Sequence, residues 1–417
     1  MITTFYDSYQ ILSKVYKEGA FLKQAILTTV IEEKNRPLVT KVVYGVLDKD
    51  IELEYYIKKL TDKSPKPVIK IILKIAMYAI KWLQKKPYAV IDNSVELVKK
   101  MGKKGVSGFV NATLRRFCKE EVAFPADFLQ NLSIKYSFPL FYVKELIKDY
   151  GKEVAEEILS AETINTTVCF YNKDGEEYLK ERKIEYEVTP FENVFLTKNF
   201  IRNEDYDKGL YTFQNVCSVA ICDLVKANKN LLDACAAPGG KSINLSRRFE
   251  SVISCDLHEH RVNLIEKYAK RIKVTNVFPK VQDMTNLNEE FIDKFDVVLC
   301  DSPCTGSGVF NENPDMKINK GEENLKDLVV LQNKILENVK NYVKIGGYLY
   351  YSTCSLFKRE NICQVEKFLK ENGNFELVPI ESKWKGLNEK GTIQFLPNLS
   401  TAGFFVACLK RISWKSV

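Results

Sequence analysis

Histidine is almost absent from this chain, which has 2 histidines, His258 and His260, among 417 residues. The 11 cysteines include no Cys-x-x-Cys pair. Without such pairs or a third histidine, we predict neither a metal site nor a disulfide framework. Most of the cysteines lie in apolar segments, where a thiol usually acts as a small buried hydrophobe.

The chain also lacks a long uninterrupted hydrophobic run. The most apolar helix candidate, residues 67–83, is interrupted by Lys70, Lys74 and Lys81, so it is poorly suited to span a bilayer. The first residues have neither the basic nor the apolar part of a secretion signal. We therefore expect a cytoplasmic protein that does not enter a membrane.

Acidic residues are scarce in the first third of the chain. Residues 1–125 contain 23 Lys and Arg against 13 Asp and Glu, whereas the remaining 292 residues contain 39 against 41. Positive charge concentrated in one part of a chain indicates a polyanionic partner, most simply nucleic acid. Solvated lysines on helix faces are the alternative, and composition alone leaves it open.

Three patterns follow one another along the chain. Residues 5–120 have apolar residues at helical spacing, and residues 125–205 mix helical stretches with short strand candidates at 166–171 and 194–196. After residue 230, apolar strands alternate with amphipathic helices, which is typical of a doubly wound, mostly parallel sheet. We predict an all-α domain (1–125), a small α+β module (126–205) and an α/β domain of six or seven strands (206–417).

Two cysteine motifs follow strand candidates of the α/β domain. Asp301-Ser302-Pro303-Cys304-Thr305 comes after residues 295–300, and Ser352-Thr353-Cys354-Ser355 comes after residues 347–351. Open α/β sheets bind their ligands at the carboxyl ends of the strands. Two thiols and a carboxylate are therefore predicted at the functional edge of the sheet.

A turn of small residues, upstream of both motifs, joins another strand to a helix. It consists of Cys235, Ala236, Ala237, Pro238, Gly239, Gly240 and Lys241. A phosphate-binding P-loop would need glycine in place of Cys235, and a dinucleotide fingerprint would need glycine in place of both Cys235 and Ala237. The turn therefore argues against a nucleoside triphosphate and against NAD.

Acidic residues end the next two strands of the same domain. Asp256 is placed to accept hydrogen bonds from ribose hydroxyls, and Asp283 is placed to meet an adenine amino group. S-adenosylmethionine fits this set best, because it has a ribose, an adenine and an amino acid but no phosphate. The alternative is that both acids merely cap helices. Arg261, just over one helical turn after Asp256, is more often a surface cation.

These motifs resemble those of a known enzyme family. Residues 233–241, 301–308 and 352–355 look like the signature motifs of the RNA 5-methylcytosine methyltransferases, and the helical front, including residues 108–116, resembles the NusB family of RNA-binding domains. Together they are similar to the bacterial 16S rRNA cytosine-C5 methyltransferases that have such a front. The resemblance implies a Rossmann-like, S-adenosylmethionine-dependent catalytic domain.

The resemblance also implies roles for individual residues. Cys354 would attack C6 of cytosine, and Cys304 would help to remove the C5 proton and release the enzyme. Asp301 would hydrogen-bond the amino or N3 edge of the base and lie against the cofactor, and Lys241 would belong to the cofactor-binding loop. The implied partner is 16S rRNA in a single-stranded or loop region, methylated by a monomer.

Two other functions remain open from the residues. A transfer RNA cytosine-C5 methyltransferase would share the catalytic residues, and only the NusB-like N-terminal region argues against it. A non-catalytic RNA-binding or antitermination factor would have no use for thiols at strand ends. The chain also has Asn311-Glu312 where the family usually has two arginines, which leaves the phosphate contacts at that place in doubt.

Overall fold

The computed structural model describes residues 1–162, 165–198, 200–319 and 321–413. Its contacts divide the chain into two compact units. The helical unit comprises Met1–Ser160 and Phe310–Gly321, and the sheet unit comprises Ala161–Val309 and Glu322–Val417. No helix in the described ranges is both long and apolar enough to cross a membrane.

The helical unit consists of short amphipathic helices, as the apolar spacing predicted. They are α1 (Ile2–Glu18), α2 (Leu22–Leu27), α3 (Arg36–Asp48), α4 (Asp50–Leu60), α5 (Pro67–Lys81), α6 (Pro87–Lys100), α7 (Ser107–Lys119), α8 (Phe128–Lys135), α9 (Leu140–Tyr150) and α10 (Lys152–Ser160). Helix α5 lies at the centre, with Ile72, Leu73 and Met77 fully buried. Tyr78 packs so closely on Gly45 of α3 that a Cβ there would lie 1.9 Å from its ring.

A segment from the second half of the sequence also belongs to the helical unit. Residues 310–321, which include the short helix α16 (Met316–Asn319), directly follow the Cys304 motif. The ring of Phe310 lies 5.2 Å from that of Tyr142, and Lys317 Nζ donates to Asp48 Oδ1 at 2.7 Å. Burial lowers the pKa of Lys317 despite this carboxylate.

The sheet unit begins with a small antiparallel sheet. Its strands are β1 (Thr166–Phe170), β2 (Tyr186–Val188), β3 (Val194–Thr197) and β4 (Tyr211–Phe213), in the order β2-β3-β1-β4. Helix α11 (Gly175–Glu181) lies between β1 and β2 in the chain, and α12 (Glu204–Asp207) lies between β3 and β4. The division into two units puts α8–α10 in the helical unit and this sheet in the other. It does not test the three predicted domains, so their boundaries at 125/126 and 205/206 stay predictions.

A second, nine-stranded sheet forms the main body of the sheet unit. Its strands are β5 (Asn228–Asp233), β6 (Phe249–Asp256), β7 (Val277–Val281), β8 (Phe295–Asp301), β9 (Val343–Thr353), β10 (Phe375–Val378), β11 (Leu387–Glu389), β12 (Thr392–Phe395) and β13 (Phe404–Arg411). The order is β11-β12-β13-β9-β8-β5-β6-β7, with β10 beside β13. Strands β5 to β9 pair in parallel and the last four pair antiparallel. The predicted Rossmann-like, mostly parallel sheet is confirmed.

Both faces of this sheet are covered, as in a doubly wound fold. The helices of the sheet unit that follow β4 are α13 (Val216–Leu224), α14 (Gly240–Leu245), α15 (Glu259–Ile272), α17 (Glu322–Val339) and α18 (Ile362–Glu371). Val297 and Leu299 pack with Ile265 on one face. Val298 and Cys300 pack with Leu336 on the other face. Since neighbouring residues of β8 face opposite layers, its run of apolar residues is explained by burial on both sides.

Candidate active site

The three sequence motifs meet at one edge of the large sheet. Strands β9, β8 and β5 are neighbours in that order, and the parallel register aligns Asp301 with Ser352 and Leu299 with Asp233. Because each motif follows the carboxyl end of its strand, their side chains converge. The predicted edge is thus where the structure brings Asp301, Cys304 and Cys354 together.

The two predicted cysteines are direct neighbours. Cys304 Sγ and Cys354 Sγ lie 3.2 Å apart, and both residues are half-buried. The backbone joins their loops as well, since Ser302 N donates to Ser352 O at 2.8 Å and Gly308 N donates to Cys354 O at 3.0 Å. Fifty residues of sequence separate the thiols, but backbone hydrogen bonds between the loops hold them at one place.

Two glycines allow a third segment to pack against these loops. Gly403 N donates to Gly308 O at 2.8 Å. A Cβ on Gly308 would lie 2.0 Å from Gly403 O, and a Cβ on Gly403 would lie 2.4 Å from Leu356 Cδ2. Both contacts are too close for any side chain, so the segment before β13 can support the Cys354 loop only with glycine at both positions.

A fully buried carboxylate, Glu360, connects the two cysteine loops. Its Oε1 accepts from Thr305 N at 2.8 Å and Gln332 Nε2 at 2.9 Å, and its Oε2 accepts from Thr305 Oγ1 at 2.6 Å and from Ser355 Oγ. Its backbone carbonyl accepts from Tyr351 Oη at 2.6 Å. Thr305 follows Cys304 and Ser355 follows Cys354, so one acidic side chain fixes both loops through three hydrogen bonds, and its fourth hydrogen bond comes from Gln332 of α17.

Asp301 forms an ion pair with Lys241 of the small-residue turn. Lys241 Nζ donates to Asp301 Oδ2 at 2.6 Å, and Ser352 Oγ donates to Oδ1 at 2.7 Å. Burial alone would lower the pKa of Lys241, but the Asp301 carboxylate outweighs burial and raises it. The ammonium is therefore charged. The Asp301 side chain keeps 28% of its surface exposed, which leaves it accessible to a ligand.

A cavity of about 390 Å³ opens beside this edge. Its walls include Cys235, Asp256, Asp283 and Pro303, so it joins the small-residue turn, the two acidic strand ends and the loop that carries Cys304. Its volume lies in the range of small-molecule sites. The predicted turn residues Ala236, Ala237, Pro238, Gly239, Gly240 and Lys241 are not among its lining residues, and neither is Asp301.

Asp256 is hydrogen-bonded to the turn itself. Ala237 N donates to Asp256 Oδ2 at 3.3 Å, and Arg261 lies 3.2 Å from Oδ1 while also donating to Ala237 O at 3.1 Å. Arg261 is thus not a simple surface cation. It lines the cavity and connects the end of β6 to the turn. Gly239 allows the turn its tight path, because its φ of 105° is one that side chains disfavour.

Asp283 is held by its own loop. Thr285 donates to Asp283 Oδ1 through its backbone N at 2.8 Å and its hydroxyl at 2.7 Å. These hydrogen bonds lower the pKa of Asp283. The carboxylate is therefore ionised and fixed at the cavity wall, with lone pairs left for a ligand donor.

Asp233, at the end of β5, is a residue that the sequence reasoning passed over. It is fully buried and accepts from Ser242 Oγ at 2.6 Å, whereas its Oδ1 has no hydrogen-bond partner among the described residues. Burial raises its pKa to about 7. Its position at a strand end was the available signal, but no partner could be inferred from sequence.

Cys235 differs from the two cysteines at the site. Its hydrogen bond with Cys300 and its burial hold its pKa well above the usual thiol range. It is therefore a poor nucleophile despite its place in the turn. Among the described residues, no group of three His, Cys, Asp or Glu side chains could hold a metal ion.

The sequence is similar to known family models and to known proteins. The sequence model of the 16S rRNA methyltransferase RsmB/F family matches residues 221–410, and that of the NusB family matches residues 8–119. The chain is 34% identical to a probable ribosomal RNA small subunit methyltransferase B of Bacillus subtilis over 94% of both chains. It is 26% identical to the ribosomal RNA small subunit methyltransferase B of Photorhabdus laumondii over 96% of both.

Solved structures share the fold. The crystal structure of PH0851 covers 99% of both chains at a TM-score of 0.84 and 22% identity. A structure of NSun6 from Pyrococcus horikoshii with SFG covers 67% of this chain and 99% of its own at a TM-score of 0.60 and 17% identity.

The Rossmann-like sheet and the family match define an S-adenosylmethionine-dependent methyltransferase that acts on RNA. The chain belongs to the RsmB/F family of 16S rRNA methyltransferases and has an N-terminal NusB domain. Its cofactor is S-adenosyl-L-methionine.

Proposed function

We propose that this enzyme methylates C5 of a cytosine in 16S rRNA through a covalent adduct between Cys354 and C6 of the base. The observation that carries the proposal is the pair of thiols 3.2 Å apart beside the Asp301–Lys241 ion pair. Carbon 5 of cytosine is a weak nucleophile, so the ring must first be activated by addition at C6. A thiolate is suited to this step because it attacks readily and leaves readily.

The reaction proceeds by addition and elimination. The Cys354 thiolate forms a bond to C6, and the electrons of the C5–C6 double bond make C5 nucleophilic. S-adenosylmethionine, when bound, would supply the electrophilic methyl group to C5, with its S–CH3 bond broken and S-adenosylhomocysteine as the second product. The proton on C5 then leaves to a base, the C5–C6 double bond forms again and the bond to Cys354 Sγ breaks. The base product is 5-methylcytosine, and the thiolate is regenerated.

Cys304 serves the second half of this sequence in our proposal. Its sulfur lies 3.2 Å from that of Cys354, so it sits next to the adduct that Cys354 would form. From there Cys304 assists the removal of the C5 proton and the elimination that frees the enzyme. Without it, methylated RNA would stay attached to Cys354.

Asp301 and Lys241 hold the base and balance its charge in our proposal. The Asp301 carboxylate accepts a hydrogen bond from the amino group of cytosine. The Lys241 ammonium, 2.6 Å from that carboxylate, stabilises the negative charge that develops on the ring as the thiolate attacks. Charges fixed in a partly desolvated site act strongly on such a transition state.

The cofactor would lie in the cavity beside the turn. Asp256 and Asp283 would accept from its hydroxyl and amino groups, with Ala236–Gly240 as the cradle, and Lys241 and Asp301 would lie at its methyl end. The small side chains of the turn, the positive φ of Gly239 and the two acidic walls of the cavity fit a ligand with no phosphate to neutralise.

The proposed RNA substrate is a single-stranded or looped region of 16S rRNA. The base must leave its stack to reach Cys354, and this costs least where it is unpaired. The NusB domain and the names of the relatives favour ribosomal RNA over transfer RNA. We propose that the enzyme acts as a monomer.

Transfer of tritiated methyl from S-adenosylmethionine to unmodified 16S rRNA tests the proposal. Wild type should label cytosine C5, Cys354→Ala should transfer nothing, and Cys304→Ala should accumulate a denaturation-resistant complex with RNA. Cys363→Ala, an exposed cysteine, is the matched control and should behave as wild type.

Two results would contradict the proposal in different ways. Labelling of transfer RNA instead of 16S rRNA would keep the chemistry and overturn the substrate. Full activity of Cys354→Ala would overturn the covalent mechanism.

A further inference from the structure

The helical unit has a groove with lysines on its rim and apolar residues on its floor. It lies where the loop before α5 meets the loop between α6 and α7, and its volume is about 480 Å³. Lys63, Lys66 and Lys103 contribute ammonium groups, and Pro65, Val106 and Phe109 contribute apolar surface. Among the residues that the structure describes, no aspartate or glutamate lines it.

The positive charge of the helical unit is concentrated around this groove in the sequence. Residues 61–119 contain 14 Lys and Arg against 3 Asp and Glu, whereas residues 1–60 contain 9 against 8. Lys63, Lys66 and Lys103 are exposed, and none of the three forms an ion pair with another described residue. Their charges are therefore available to a partner.

The floor of the groove exposes an aromatic ring near the start of α7. Phe109 keeps 38% of its surface accessible and Val106 keeps 37%, although neighbouring Val110 is fully buried. An exposed aromatic ring beside unpaired cations is the combination that proteins use for single-stranded nucleic acid, because bases stack on rings and phosphates meet ammonium groups.

We propose that this groove binds one or two nucleotides of the single-stranded RNA substrate, with a base on Phe109 and phosphates at Lys63, Lys66 and Lys103. The inference rests on the proposed function for the identity of the polyanion. A run of further lysines, Lys99, Lys100 and Lys104, borders Lys103, and such a spread of charge suits a repeating phosphate backbone better than a single acidic side chain.

RNA binding by the full-length enzyme tests the groove. The triple variant Lys63→Ala, Lys66→Ala and Lys103→Ala should weaken binding of a single-stranded 16S rRNA fragment. It should also reduce the slope of log affinity against log salt by about 2, at roughly 0.7 per phosphate contact. Phe109→Ala should weaken binding about 10-fold with the salt slope unchanged.

A charge-matched control separates the groove from general electrostatics. Lys17, Lys23 and Lys41 are exposed lysines of the first 60 residues, and replacing all three with alanine removes the same charge. This control should change affinity less than 3-fold. In methyl transfer, the groove variants should raise KM for RNA and leave kcat and S-adenosylmethionine affinity as in wild type.

Three outcomes would overturn the inference. The first is a control that weakens RNA binding as much as the groove variant does. The second is a groove variant that keeps the wild-type salt slope. The third is polyglutamate that competes as well as a single-stranded RNA of equal charge. Failure of the proposed function is a separate result: it would appear as absent methyl transfer by wild type, which leaves the binding comparison intact. Circular dichroism melting checks that each variant is folded.

Discussion

The sulfur atoms of Cys304 and Cys354 lie 3.2 Å apart in two loops that are held together by backbone hydrogen bonds. This distance is close to the contact distance of two sulfur atoms and about 1.2 Å longer than a disulfide bond. Since both residues are only half-buried, a small oxidant can reach them. The arrangement that we propose for methyl transfer therefore also favours oxidation.

We predict that hydrogen peroxide inactivates the enzyme reversibly by joining Cys304 to Cys354. The two thiols lose two electrons and two protons, and the peroxide becomes two molecules of water. Intact mass should fall by about 2 Da, two titratable thiols should disappear, and dithiothreitol should restore activity. Cys363→Ser should react in the same way as wild type. If peroxide also removes two titratable thiols from Cys304→Ser, cysteines other than this pair are involved.

Lys241 is predicted to affect catalysis more than folding. Lys241→Met leaves the Asp301 carboxylate without its cation and removes the charge that faces the base in our proposed mechanism. We expect kcat to fall about 100-fold or more, as when one fixed electrostatic group is lost, with little change in Tm. Lys229→Met is the control, because Lys229 is an exposed lysine of the same strand–turn segment. An unchanged kcat in Lys241→Met would remove Lys241 from the mechanism.

Glu360 is predicted to position the two thiols without touching the substrate. Glu360→Ala would leave buried donors of Thr305, Ser355 and Gln332 unpaired, at a cost of about 3 kcal/mol in the free energy of unfolding. Glu360→Gln should restore much of the Tm and activity, because the hydroxyls of Thr305 and Ser355 can rotate to accept from the amide.

The oxidation reaction distinguishes a positioning role of Glu360 from a purely structural one. If Glu360 holds the loops in register, peroxide should form the Cys304–Cys354 disulfide several-fold more slowly in Glu360→Ala at a temperature where the variant is folded. Glu371→Ala, an exposed acid at the end of α18, should oxidise at the wild-type rate. Equal rates in all three proteins would contradict the positioning role.

The sequence predicted those parts of the site that depend on local pattern. The strand before the Cys304 motif was predicted over residues 295–300 and β8 spans Phe295–Asp301, because it is a short apolar run with a polar residue at its end. The two cysteine motifs were recognisable for the same reason. Contacts between distant segments had no such signal. Glu360 is a single acid in a loop. Only the fold shows that it accepts a hydrogen bond from Thr305, which lies 55 residues away in the sequence.

The contacts of charged residues that have two partners could not be predicted from the sequence either. Arg261 lies five residues after Asp256, which is compatible with a surface position, and its second contact at Ala237 O depends on the path of the turn. The antiparallel strands β10, β11 and β12 were not predicted, since they are only three or four residues long. Likewise, nothing local indicates that residues 310–321 pack with the helical unit.

Asp233 is predicted to make the stability of the cofactor-free enzyme depend on pH. Its pKa of about 7 in the folded protein lies above its ordinary value near 3.9 in an unfolded chain. Between these values the folded state binds a proton that the unfolded state does not, so this residue's contribution to stability falls as pH rises from about 4 to about 7 and is constant above that.

The variant Asp233→Asn removes this dependence, because the amide is neutral and its oxygen can still accept from Ser242. The variant should gain stability relative to wild type as pH rises from 5 to 7, by about 2 kcal/mol of the roughly 4 kcal/mol that a pKa difference of about 3 gives over the whole range, and keep a constant difference above pH 8. Urea unfolding at several pH values measures this. Asp92→Asn, at an exposed position on α6, should show a flat difference. A flat difference for Asp233→Asn as well would mean that Asp233 is ionised in the folded protein at pH 5, with its buried Oδ1 satisfied by water.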